Sequence, residues 1–350
     1  MSNLIKPYML KVGDTVATVS MSSALASRFP WRYQAGKKQL EDTFGLTVIE
    51  APNSMRSTEE LHENPKLRAD DLMWAFQNPD VKAIISNIGG EDAIRLYPYI
   101  DFNIIRNNPK IVIGYSDTTS IHLMCYQAGL SSIYGPSIMS GFAENGGLPN
   151  YLKKSVQRTL FRDEIIGEIK PNNEGWIIEE LNWSNPDNQK IKRKRLANEG
   201  YFIVQGEGIV EGHLLGGCME VLDMCRGTDL FPTRAQWKDA ILFMETSEER
   251  PAIGMMRNFL QSMASSGSLQ VLKGIIIGRP KEATYDGRHQ YDCVIKDILK
   301  CAGRQDMPVL SQMDFGHTEP HFCIPYGARG RIDIMNKRFE ILDSAVRQRD

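Results

Sequence analysis

The stretch IGYSD, Ile113 to Asp117, leaves one hydroxyl, Ser116, at the point where an apolar run ends and a helix-like pattern begins. Ile111-Val112-Ile113 reads as a buried strand, and Thr118 to Ala128 carries a helical period. A serine at such a corner stands above the carboxyl end of a parallel sheet and faces backbone N–H groups and a helix dipole, a placement that suits a nucleophile. The local pattern is Gly-Tyr-Ser-Asp and not G-x-S-x-G, so a serine that merely makes the turn, with Asp117 capping the helix, fits the same letters. A serine nucleophile needs a base, and the base needs an orienting partner. Of the six histidines, His122 falls inside the helix that follows Ser116 and reads as a core residue. His317, in DFGHTEP, follows the strand-like PVLSQMDF and sits on a loop that can reach across a cleft. Glu245 closes the apolar ILFMET at a sheet rim, where it can orient an imidazole or cap the next helix.

Other chemistries fail on spacing. HTEPH, His317 to His321, resembles a metal-binding helix in composition, but Pro320 would break the helix that must present both histidines. No P-C-x-x-C accompanies its H-x-E, and GEGIVEG lacks the G-x-G-x-x-G spacing. The six cysteines, Cys125, Cys218, Cys225, Cys293, Cys301 and Cys323, contain no C-x-x-C pair and read mostly as small buried apolar residues. No metal and no cofactor is expected. A net charge of −2 leaves no basic footprint for nucleic acid, and the one basic run, QKIKRKR at Gln189 to Arg195, reads as a solvated loop.

The elements that must position these residues fall into two halves. With 350 residues, 42% hydrophobic and 24% charged, the chain has the composition of a soluble protein large enough for two domains. No apolar run approaches the roughly 20 residues of a membrane span, and the N-terminal MSNLIKPYMLKVGD carries no secretory pattern, which sets a cytoplasmic expectation. From Thr15 to Pro136 the runs TVATVS, LTVIEAP, KAIISNIGG, KIVIGYS and SSIYGP alternate with helical segments, the first of them, Thr58 to Gln77, interrupted by Pro65. That alternation predicts a doubly wound α/β domain with a mostly parallel sheet over 1–165. The stretch 166–200, rich in Asn, Pro, Glu and Lys, reads as a linker and active-site loop carrying Trp176 and Trp183. Residues 201–350 hold the strand candidates YFIVQG, AILFMET, VLKGIIIGRP, CIPYG and RIDIM, with glycines 206, 208, 212, 216 and 217 taken as turns. They predict a smaller mixed α/β or barrel-like domain carrying Glu245 and His317.

Taken in order, IGYSDTTSIHLMCYQAGLSSIYGP, GHLLGG, ILFMETSEE, GIIIGRP and DFGHTEPHFCIPYGARGRID resemble the L,D-carboxypeptidase and microcin C self-immunity family of serine peptidases, from about Gly13 to Asp333. The resemblance implies an N-terminal α/β domain, a C-terminal domain, an active site between them and a homodimer. It also implies a Ser-Glu-His triad, with Ser116 as nucleophile, His317 as general base and Glu245 orienting His317. The backbone N–H groups of Gly90, in SNIGGED, and of Asp117 are the expected oxyanion donors. Two positions depart from the family pattern: Cys218 stands where members often carry Asn after Gly-Gly, and Cys323 where a hydroxyl residue often follows the histidine motif.

Within the family, one branch removes a terminal D-alanine from murein tetrapeptides, and the self-immunity branch cleaves an aminoacyl group from a nucleotide-like moiety. The chain's length and EGWIIEELNW resemble the latter, so an aminoacyl- or peptidyl-nucleotide is the expected substrate, with Trp183, or failing that Trp176, stacking on its base. The murein L,D-carboxypeptidase reading stays open, as does, more distantly, a non-catalytic two-domain ligand-binding protein.

Overall fold

Strands of apolar β-formers alternating with helices can bury both faces of a parallel sheet, and the first half of the chain does so. The computed structural model describes residues 4–349. Its first sheet has six strands in the spatial order Ile324–Pro325, Ile133–Tyr134, Ile111–Gly114, Val81–Ser86, Thr15–Val19 and Thr47–Glu50. The last five are mutually parallel, and Ile324–Pro325 adds antiparallel from the far end of the chain. The strand order reverses between Thr15–Val19 and Val81–Ser86, and in such sheets ligands bind outside the carboxyl ends at the reversal. Pro65 resolves the interrupted helix into two: Thr58–Glu63, opened by a Ser57/Glu60 capping box, and Pro65–Gln77, where proline takes the first turn.

The second sheet has eight strands, in the order Gly167–Ile169, Arg338–Ile341, Arg329–Asp333, Ile209–Cys218, Ala240–Glu245, Gly274–Gly278, Val309–Met313 and Phe202–Gln205. Its four-stranded centre, from Ile209–Cys218 to Val309–Met313, is parallel and its flanks are antiparallel. The mixed α/β architecture expected from sequence is therefore present in both halves, the second built as a mixed sheet with a parallel centre.

Three of the glycines read as turns, Gly212, Gly216 and Gly217, instead lie inside the strand Ile209–Cys218. A Cβ on Gly216 would fall 1.7 Å from the Phe243 carbonyl oxygen, so glycine lets this strand approach its neighbour. One continuous apolar core joins the two sheets, running from Val16 and Ile113 to Phe243 and Ile276. Each fully buried aliphatic side chain contributes about 1.5–3 kcal/mol, which holds the two sets of carboxyl ends in fixed relation.

Candidate active site

Ser116 is the middle one of the three residues between the strand Ile111–Gly114 and the helix Thr118–Ala128. Its backbone is left-handed, φ 61°, a conformation that costs a non-glycine residue about 1–3 kcal/mol and persists where the surroundings impose it. They do so here from two sides. The Ser116 N–H donates to the Tyr134 hydroxyl at 3.1 Å, and Gly89 lies so close that a Cβ there would sit 2.8 Å from Ser116 Oγ. The side chain of Ser116 is half-buried, and its Oγ makes no hydrogen bond among the described residues.

Asp117 follows, but its carboxylate does not cap the helix as the sequence suggested. It turns back to accept from Ser22 Oγ at 2.5 Å and from the Ala93 N–H at 2.7 Å, tying the corner to the segments after two neighbouring strands. Burial pushes its carboxyl up to about 6, against the pull of those donors.

Glu245 ends the strand Ala240–Glu245 and is buried. Its Oε2 accepts from His317 Nδ1 at 2.7 Å and its Oε1 accepts from the Tyr134 hydroxyl at 2.5 Å. Tyr134 therefore links the serine corner to the acid through one oxygen, donating to Glu245 and accepting from Ser116. This fixes the imidazole with its Nδ1–H toward Glu245 and leaves Nε2 facing the cleft. Nε2 lies 2.9 Å from Glu248 Oε2, close enough for charge pairing but out of line for a hydrogen bond, so Nε2 has no hydrogen-bond partner among the described residues. Burial alone would lower the imidazole's pKa; the flanking carboxylates of Glu245 and Glu248 outweigh it and raise it to about 10. Glu248 answers in kind: burial works to raise its carboxyl, and His317 brings it down to about 2.

His317 and Glu248 open onto a cleft of about 670 Å³ between the two sheets. Tyr115, Ile88 and Phe29 line the side of the first sheet, and Ile177, Leu181 and Trp183 come from the connecting stretch. Trp183 is braced by its neighbours: its carbonyl accepts from Trp31 Nε1 at 2.8 Å, the Arg32 guanidinium lies 4.3 Å over its ring, and Phe29 meets it edge-on at 6.0 Å. The floor carries an ionic group in which Arg193 pairs with both Glu144 and Glu319.

Two family comparisons bear on this geometry. Residues 16–135 match the LD-carboxypeptidase N-terminal domain of the S66 peptidases, and residues 211–332 match the corresponding C-terminal domain. This chain belongs to the S66 family of serine peptidases. The microcin C7 self-immunity protein of Escherichia coli is 29% identical to it over 337 residues, covering 95% of this chain and 94% of that one. A solved structure of a microcin C7 self-immunity protein in complex with aspartyl sulfamoyl adenosine superposes with a TM-score of 0.85 at 27% identity, covering 98% of this chain and 100% of the other. A similar protein from Streptococcus pneumoniae in complex with AMP gives 0.83 at 27% identity, covering 94% and 98%.

Within this S66 peptidase, Tyr134 links Ser116 through hydrogen bonds to Glu245 and so to His317, with Gly90 in the loop after the strand Val81–Ser86 and Asp117 next in sequence to Ser116. Neither the Gly90 nor the Asp117 N–H bonds to another described residue in the chain. Trp183 is on the cleft. Trp176 is not: it is buried, donates to the Ala197 carbonyl at 2.9 Å, and packs under Arg279 and Arg288. Cys218 and Cys323 are buried off the cleft wall, and His122 is a core residue bonded to Ser132 Oγ and the Gly114 carbonyl. The run Gln189 to Arg195 is largely exposed, except that Gln189 and Arg193 turn inward. Sequence reading passed over Tyr134, Glu248 and Arg193. YGP, which closes the strand Ile133–Tyr134, and the acidic SEE after Glu245 were the available signals.

Proposed function

We propose that this S66 peptidase hydrolyses the amide or acyl-sulfamate bond joining an aminoacyl or peptidyl group to a nucleotide-like moiety, with Ser116 as nucleophile. The observation that carries the reading is the presence of Trp183, braced by Arg32 and Phe29, on the same cleft as His317. A base stacked on such a ring gains roughly 1–3 kcal/mol whatever its identity. The binding of AMP and of aspartyl sulfamoyl adenosine by the solved relatives supports a nucleotide-like leaving group here.

The steps follow from the groups present. Ser116 Oγ attacks the carbonyl carbon while its proton passes to His317 Nε2, and the carbonyl oxygen takes up the negative charge. The N–H groups of Gly90 and Asp117 are the donors for that oxyanion. Collapse breaks the C–N bond, and Nε2 returns the proton to the leaving nitrogen. Water then attacks the acyl-serine, giving its proton to Nε2 and restoring Ser116 as the acid departs. Glu245 holds the imidazole by Nδ1 throughout, with Tyr134 as its second donor.

The test is turnover of an aminoacyl sulfamoyl adenosine beside a murein tetrapeptide, with labelling of Ser116 by a serine-directed phosphonate read by mass spectrometry. Hydrolysis of the nucleotide compound is expected. Cleavage of the murein tetrapeptide alone would establish the L,D-carboxypeptidase reading instead. Failure to label Ser116 or to cleave either compound would favour a ligand-binding protein.

A further inference from the structure

The charges around the cleft do not balance locally. Arg193 is engaged by Glu144 and Glu319. Arg32 is committed to the Met139 carbonyl, Asn145 and Gln189, and Lys281 pairs with Glu180 from the connecting stretch. Every cation on the wall thus has a partner of its own. The segment after Glu245 adds two more carboxylates, Glu248 and Glu249. Among the described residues Glu249 has no ion-pair partner, and Glu248 has only His317.

That one partner is the imidazole nitrogen which the proposed mechanism needs for Ser116. A nitrogen held beside Glu248 cannot accept the Ser116 proton, and an imidazole set between two carboxylates is held in its protonated form. The remaining groups around His317 do not relieve this. Tyr115, 5.0 Å from it ring to ring, is neutral, because burial drives its hydroxyl well above the ordinary range. Burial likewise lowers His321, leaving it neutral. Glu319 is bound by Arg193, and Lys281, whose charge also favours the ionised Glu248, is paired with Glu180. Freeing Nε2 therefore calls for another cation at Glu248; when the substrate carbonyl meets Ser116, the acyl part and the leaving nitrogen both lie beside His317, and of the two sides only the acyl part can bring an ammonium, the nucleotide-like moiety carrying none.

We propose that Glu248 receives an ammonium group on the acyl part of the substrate and in doing so releases His317, so that this enzyme selects acyl groups bearing a free amine over neutral or acidic ones. The proposal rests on the reading of Ser116 and His317 as nucleophile and base. It makes Glu248 a specificity residue that also sets the resting state of the base. Glu249 lends the same sign of charge and repels an acidic acyl chain. Because the Glu248 side chain is 47% exposed, solvent weakens the pairing, and the selection should be roughly 3–10-fold, the span of a partly screened ion pair.

The experiment compares kcat/KM for four sulfamoyl adenosines: alanyl, with an α-amine; N-acetyl-lysyl, with a side-chain amine; N-acetyl-alanyl, with neither; and N-acetyl-glutamyl. Wild type should favour one or both amine-bearing compounds over N-acetyl-alanyl and take N-acetyl-glutamyl least, and the favoured compound tells which amine is read. Glu248→Gln should bring the preferred compound to within about twofold of N-acetyl-alanyl. An unchanged ratio in Glu248→Gln, or a wild-type preference for the glutamyl compound, overturns the proposal.

If only a murein tetrapeptide is cleaved, the nucleotide reading fails while the proposal is tested by acetylating the side-chain amine of that peptide. If nothing is cleaved, the mechanism itself fails, and the proposal with it. Independently of substrate, the His317 imidazole followed by NMR in the free protein should titrate at lower pH in Glu248→Gln than in wild type. An unmoved titration would show that Glu248 does not hold the base, and would also overturn the proposal.

Discussion

At the Ser116 corner, each group around the proposed nucleophile is fixed by a strand end, a helix start or a buried side chain, whereas residues 171–198, which carry Trp183, form no strand or α-helix and are held mainly by side-chain bonds. The corner sets Ser116, Tyr134, Glu245 and His317 in one chain of hydrogen bonds. The connecting stretch has two bridges at Trp176 and Ile177, one short 3₁₀ turn over Pro186–Lys190, and side-chain ties from Trp31, Asn145 and Arg193. The contrast assigns rigidity to the bond-making groups and adaptability to recognition, since reacting atoms must meet within fractions of an ångström while a stacked base tolerates sliding. Damage to the corner should therefore slow every substrate alike, and damage to the stretch should be felt only by a substrate that bears a base.

The largest expected effect breaks the corner outright. Ser116→Ala or His317→Ala should lower kcat by roughly 10⁴-fold or more on nucleotide-bearing and base-free substrates alike, with an unchanged far-ultraviolet spectrum, and Glu245→Gln should cost somewhat less. Near-normal turnover in Ser116→Ala would remove the mechanism. Next is the stretch. Trp183→Ala should lower kcat/KM for the aminoacyl-nucleotide by the equivalent of about 1–3 kcal/mol and leave a base-free substrate nearly untouched. Trp176→Ala should instead lower Tm, because it empties a buried site, and its effect on the two substrates should be equal. Equal losses for Trp183→Ala would mean that the stretch only supports the fold.

Smaller effects sharpen the comparison. Tyr134→Phe leaves the Ser116 N–H and Glu245 Oε1 each without a partner, a loss of about 1–3 kcal/mol. It should lower kcat by roughly tenfold on both substrates. Losing a donor to Glu245 leaves its charge less satisfied and holds the imidazolium more firmly, so the acid limb of kcat/KM should move to higher pH. In wild type that limb reports His317. Its folded-state pKa is raised, the base form appears only as pH climbs through that value, and kcat/KM should rise with pH through an apparent pKa above the ordinary 6.5 or so. A flat profile across neutral pH would place control elsewhere.

Much of the corner was legible because local sequence encodes it. Gly114-Tyr115-Ser116-Asp117 after an apolar run can only turn, and the helix Thr118–Ala128 appears with the bounds its period suggested. The interruption expected at Pro65 in the segment Thr58 to Gln77 is where the structure divides it into two helices. The second half was harder to read. Gly212, Gly216 and Gly217 look like turn residues because glycine's backbone freedom is a local property, while the close approach of Phe243 that calls for glycine is a tertiary one. Tyr134 in IYGP looked like an ordinary strand end, since nothing nearby in sequence shows that Glu245, more than a hundred residues away, needs a second donor. Arg193 hid in a basic run because its partners, Glu144 and Glu319, come from distant segments.

The sequence by itself determined the element types, the glycine-assisted corner and the residue kinds that acyl transfer requires, because periodicity, turn chemistry and side-chain chemistry are properties of short stretches. Only the tertiary structure decided that Trp183 and not Trp176 faces the cleft, that Asp117 turns away from its own helix, and that His317 rests between two carboxylates. Those outcomes depend on which distant segments the shared core brings within hydrogen-bond reach, and burial then amplifies every charge that arrives there.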